Sequence, residues 1–128
     1  MRPSTPAGPS GSRGVVVSSP ADVELSAEEL DPGTVLEGDP RVCDGEIARS
    51  PSGSGDLVTG VWTCTPGRMT DVEADETFVV LEGRATIEAE GEEPVDVGPG
   101  DVCVLAAGTR TTWTVHEPLR KVYVIREE

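Results

Sequence analysis

A carboxylate opening an apolar run is the first feature of this chain with chemical consequences. Glu76 precedes Thr77, Phe78, Val79, Val80 and Leu81, and the run closes at Gly83. Along a strand, side chains two residues apart share a face, so Glu76 is either the wet end of a strand or an acid turned into a cavity. In an apolar cavity its neutral form is favoured and its pKa rises, which suits proton transfer near neutrality. Downstream, Lys121 and Tyr123 share a face with Ile125, while Val122 and Val124 hold the other. Lys121 has three readings: an ion pair with Glu76, a contact to an anionic substrate group, or a stem snorkelling to the rim. With Glu76 transferring a proton, Lys121 or Tyr123 would stabilise the negative charge that develops. Trp62 and Trp113 are the only two tryptophans in a chain with 3% aromatics. Each is either a flat wall against a planar or cationic ligand or ordinary core.

Other reactive residues offer less. His116, the single histidine, stands in Val115-His116-Glu117-Pro118 and reads as exposed on a turn. No Gly-x-Ser-x-Gly elbow accompanies it. Cys43, Cys64 and Cys103 are odd in number and lack C-x-x-C spacing, which argues against a disulfide framework or a zinc site. Cys64 and Cys103 read as small buried hydrophobes. Arg68 and Arg110 are placed on loops, as mouth residues or surface charges, and the acidic run Val72 to Asp75 reads as a solvated loop.

Composition bounds the rest. The 128 residues suit one domain with a single modest core. A formal net charge of −14 argues against nucleic acid and anionic membranes, both bound through Lys and Arg. No run approaches the roughly 20 apolar residues of a membrane span. Met1 to Ser10 lacks the apolar segment of a signal peptide. A reducing cytoplasm fits the cysteines.

The elements that must position these residues are short strands between turn signals. Residues 1–20 read as a disordered tail, with Val15 to Val17 as an added edge strand, and residues 21–128 as the domain. Ser26-Ala27-Glu28-Glu29 has the capping-box pattern, and Pro32-Gly33 stops that helical bend after about one turn. Leu36 to Arg41 reads as a turn, Val42 to Ile47 as a weak strand, Ser50 to Gly55 as a hairpin tip, and Leu57 to Cys64 as a strand. Glu76 to Glu82 and Arg84 to Ala89 read as a hairpin about Gly83. Val95 to Val97, Val102 to Leu105, Thr111 to Val115 and Leu119 to Ile125 complete the set. Strands at this spacing, without a long amphipathic helix, predict an all-β sandwich or barrel.

The order and wording of these turns resemble the cupins, small jelly-roll barrels. The likeness is to the single-domain branch that includes the ethanolamine-utilisation cupins and ureidoglycine aminohydrolases. It is carried by Gly60-Val61-Trp62-Thr63-Cys64-Thr65-Pro66-Gly67, Glu76 through Gly83-Arg84, Gly98-Pro99-Gly100-Asp101, Ala107-Gly108, Trp113 through Glu117, and Arg120 through Tyr123. The resemblance implies a cupin jelly-roll barrel, with Glu76, Thr111, Trp113 and Val115 facing inward. The family's motif histidines fall on Met69 and Asp71, or on Thr70 and Val72, and its third on Thr111. All three are absent, so the resemblance implies a barrel without metal or cofactor, because transition metals prefer imidazole or thiolate. The site expected is Glu76, Lys121 and Tyr123 for catalysis, with Trp62, Cys64, Phe78, Thr111, Trp113 and Arg110 against the substrate. Three functions stay open: a metal-independent isomerase, cyclase, dehydratase or hydrolase acting on a small molecule; a small-ligand binder or sensor; and an interaction scaffold. A homodimer is a further expectation from the family.

Overall fold

The computed structural model describes residues 14–128. Of the tail expected over residues 1–20, residues 1–13 lie outside that range. Nine strands follow: β1 (Ser26–Glu28), β2 (Val35–Gly38), β3 (Val42–Ser52), β4 (Gly55–Cys64), β5 (Gly67–Val72), β6 (Glu76–Ala89), β7 (Val95–Val97), β8 (Val102–Leu105) and β9 (Arg110–Glu127). All pairings are antiparallel. They curl into the all-β barrel expected from the turn pattern, of the jelly-roll kind that the family resemblance implies.

The barrel is organised by its two longest strands. β6 runs along β9 from the pair Glu76–Ile125 to the pair Ala89–Thr111. On its other edge β9 is shared: β5 takes residues 110–115 and β4 takes residues 119–127. The change of partner falls at Glu117-Pro118, where proline has no N–H to give a ladder. Opposite, Gly83 has φ +87°, and a Cβ there would collide with the Pro118 carbonyl oxygen. Register between the two strands shifts from Val80 to Ala85. On β6 the buried residues are Glu76, Phe78 and Val80 before the corner, then Ala85 and Ile87 after it. Between the pairs Val80–Lys121 and Ala85–Val115, β6 advances five residues and β9 six, so the buried parity flips on β6 while the inward face is kept.

This geometry corrects two sequence expectations. Gly83 is not a hairpin tip but a bulge within one 14-residue strand, and Thr111 to Val115 and Leu119 to Ile125 are halves of one 18-residue strand. Three more corrections lie upstream. Ser26–Glu28 is a strand paired with β3, not a helical bend, and the tight turn is displaced to Pro32–Thr34, where Asp31 accepts from the Gly33 N–H at 2.9 Å. Leu36 belongs to β2, and Val15 to Val17 make no strand. The chain from Val23 to Leu25 lies over Gly45, whose missing Cβ is what lets it approach. No helix of the described residues is long and apolar enough to cross a membrane.

Candidate functional site

The barrel encloses a cavity of about 440 Å³, open between β3 on one side and β5 on the other, with residues 28–34 along its mouth. That volume is in the range of small-molecule pockets.

Glu76 and Lys121 meet there. They stand on neighbouring strands but not in the same row, since Lys121 pairs with Val80 and Glu76 with Ile125. The lysine stem therefore runs along the sheet to bring Nζ within 2.7 Å of Glu76 Oε2. Both side chains are only 6% exposed. On the way Nζ passes among three rings, 4.3 Å from the centroid of Phe78, 4.6 Å from Trp62 and 4.9 Å from Trp113. The rings also pack on each other, with centroids 5.5 Å apart for Phe78–Trp113 and 5.8 Å for Trp62–Trp113. An ammonium in such a box gains cation–π attraction that grows as water is removed. Burying the two charges is costly, and only close mutual pairing makes it tolerable. Glu76 Oε1 receives no hydrogen bond among the described residues.

A second carboxylate was hidden in the sequence. Glu73, in the acidic run read as a solvated loop, is 7% exposed. Its Oε2 accepts from Thr111 Oγ1 at 2.6 Å and from Trp113 Nε1 at 3.0 Å. Its backbone is pinned as well, N–H to the Thr109 carbonyl and carbonyl to the Gly108 N–H. The run is thus a wall of the cavity. The signal was available, because extending the alternation of Met69 and Asp71 by two residues lands on Glu73.

Asp71 also lines the cavity, at its open side. Burial of its carboxyl and then the neighbouring Glu73 charge push its pKa up to about 6. Tyr123 donates to Asp44 Oδ1 at 2.7 Å. Burial first, then that bond, raise its pKa, so the phenol stays protonated. Glu28 faces the same space, raised by burial and then by Asp44.

The expected site residues divide accordingly. Glu76, Lys121, Tyr123, Trp62 and Trp113 line the cavity, and Phe78 forms the floor of the aromatic box. Thr111 is turned inward but sits behind Glu73. Cys64 belongs to the core, where burial pushes its thiol up to about 12. Arg110 points away: it is exposed, 4.0 Å from Glu90, and does not line this cavity. Its place on β9 pairs it with Val72, on the outer parity of the strand. His116 lies within β9 rather than on a turn, exposed, 2.8 Å from Thr86 Oγ1.

The positions where the fold's histidines would stand do not make a metal site. Met69 packs beside Trp113, Asp71 leans on Glu73, Thr111 gives its hydroxyl to Glu73, and Glu76 is engaged by an ammonium. Thioether, hydroxyl and paired carboxylates are a poor set for a transition metal.

A curled antiparallel sheet around a walled cavity, with a carboxylate at the head of its central strand, defines a cupin-type barrel. The chain belongs to the EutQ-like cupin domain family, whose model matches residues 51–123. Among solved structures, it is similar to a DUF861-family protein of Pseudomonas syringae pv. tomato. There the identity is 23%, covering 81% of this chain and 45% of that one, with a TM-score of 0.72. A DUF1255 protein of unknown function from Acidithiobacillus ferrooxidans shares 24% identity over 84% of this chain and 97% of its own, TM-score 0.58. The EutQ protein of Clostridium difficile shares 18% over 68% and 63%, TM-score 0.56. At these identities the likeness concerns the fold. Among curated proteins, none matches the chain.

Proposed function

We propose that this protein is a small-molecule enzyme that moves protons without a metal, with Glu76 as the acid–base group and Lys121 as the fixed positive charge beside it. The observation that carries this reading is the buried 2.7 Å pair on the wall of a cavity large enough for a substrate. Glu76 Oε1 is the open atom, suited to take a proton from substrate carbon or oxygen and return it elsewhere. Lys121 donates to the oxygen on which negative charge develops. Tyr123 is reassigned from charge stabilisation to positioning, because its proton is committed to Asp44. Isomerisation, cyclisation, dehydration and hydrolysis all need no more than this.

The test is a product survey. The protein is incubated with a library of small metabolites in the presence of a chelator, and depletion is followed by mass spectrometry. Wild type converts one compound. Glu76→Gln binds it but loses turnover by roughly 10²-fold or more, the usual weight of a general base. Glu76→Asp keeps the charge, retracts the carboxylate by one methylene and loses most of the turnover while still folding. Equal turnover by Glu76→Gln, or activity that vanishes with chelator and returns with metal, overturns the reading. A second reading, a binder without turnover, is favoured by the completeness with which Lys121 is already held, by Glu76 and three rings. Binding that survives in Glu76→Gln without conversion by wild type would select it.

A further inference from the structure

The walls of the cavity are unbalanced in charge. Eight carboxyl groups line it, Glu28, Asp44, Asp71, Glu73, Glu76 and Glu127 among them, against the single ammonium of Lys121. One of its three N–H donors already goes to Glu76. No arginine and no other lysine lines the space. Moreover, the carboxyls face each other in like-charged sets. Glu28 on β1 feels the charge of Asp44 on the neighbouring β3, and Asp71 that of Glu73 two residues further on. Such contacts disfavour ionisation unless a cation is placed between them. Glu76 also lines the cavity, its carboxylate already paired with the Lys121 ammonium at 2.7 Å. The non-acidic part of the wall is aromatic, with Trp62, Trp113 and Tyr123, and ring faces attract organic cations.

We propose that the cavity selects a small organic cation, a protonated amine or guanidinium with a short apolar or flat body, and excludes anions. The cationic group sits between the carboxyls of the mouth, and the body lies on the tryptophans. The part of the ligand that reacts then reaches Glu76 and Lys121. This deepens the proposal that the cavity holds a substrate and rests on it. It also discards Lys121 as a receptor for an anionic group, since an incoming anion would meet seven more carboxyls than ammoniums.

The experiment uses three isosteres, benzylamine, benzyl alcohol and benzoate, titrated into the whole protein. Both tryptophans line the cavity and the chain has no others, so intrinsic fluorescence reads occupancy directly. Benzylamine should give a saturable change with a Kd at least tenfold below that of benzyl alcohol, and benzoate should give none. Glu28→Gln combined with Asp44→Asn keeps the acceptor for Tyr123 and should weaken benzylamine at least tenfold while leaving benzyl alcohol unchanged. Binding of the alcohol or benzoate as tightly as the amine overturns the proposal, as does failure of all three to bind, or a double variant that binds the amine as well as wild type does. These outcomes are separate from the fate of catalysis, because amine preference without any effect of Glu76→Gln on turnover would leave the ligand class standing and remove only the proton-transfer role.

Discussion

Lys121 shows how one residue can be both well satisfied and energetically exposed to mutation. Its Nζ has a carboxylate at 2.7 Å and three ring faces within 5 Å, yet it is 5% exposed in a barrel interior. Removing one member of such a pair strands the other charge, at a cost of about 3–5 kcal/mol. Lys121→Met should therefore lower unfolding free energy by about that much, and Glu76→Met combined with Lys121→Met should recover most of it, because a matched apolar replacement is often neutral. Urea unfolding of the singles and the double measures this, and a Lys121→Met loss under about 1 kcal/mol would mean the pair is hydrated. Asp71 gives a pH signature of opposite sign to an ordinary acid. Its folded pKa of about 6 lies above its ordinary 3.8. Between those values the folded chain holds a proton that the unfolded chain has lost, so stability falls as pH rises through this window and is flat above it. Asp71→Asn should raise Tm relative to wild type above about pH 6 and change it little below about pH 4. Thermal scans across that range check the sign.

Elements place these residues to within an ångström, and small residues decide how. Gly60 on β4 lies opposite Tyr123 on β9. A Cβ at Gly60 would stand 2.5 Å from Tyr123 Oη and 2.7 Å from the Gly45 carbonyl oxygen. Gly60→Ala should cost roughly 1–3 kcal/mol by overpacking and push the phenol off Asp44. Tyr123 is the sole tyrosine, so ultraviolet titration reads it alone: the variant should ionise at lower pH than wild type, and an unchanged titration would refute the contact.

The same scale explains what was legible in advance. Alternation on β9 placed Lys121 and Tyr123 on one face, and turn residues at Gly98 to Asp101 and Ala107-Gly108 marked real ends. Gly83 and Pro118 misled because a glycine with positive φ serves a hairpin and a bulge equally well, and only pairing with a distant strand decides between them. The Ser26 capping pattern lost to pairing with β3, a non-local contact invisible to local propensity. Glu73 hides in an acidic run whose charge points to solvent, while its two-residue spacing from Asp71 turns it inward.

At the scale of the molecule, the two long bent strands make the barrel and also bring opposite charges to its interior. β6 contributes Glu76 and Phe78, β9 contributes Trp113, Lys121 and Tyr123, and β4 adds Trp62. A chain with 24 acidic and 10 basic residues thus reserves one lysine for its interior and surrounds it with carboxyls. Family membership fixes the scaffold, and the side chains facing the cavity fix the chemistry. The central claim is that an internal ammonium, rather than a transition metal, holds Glu76. Calorimetric titration of the whole protein with Zn²⁺ and Co²⁺ tests it most directly. No one-to-one binding should be seen, and Glu76→Gln should titrate as wild type does. Stoichiometric micromolar binding that disappears in Glu76→Gln would contradict the account.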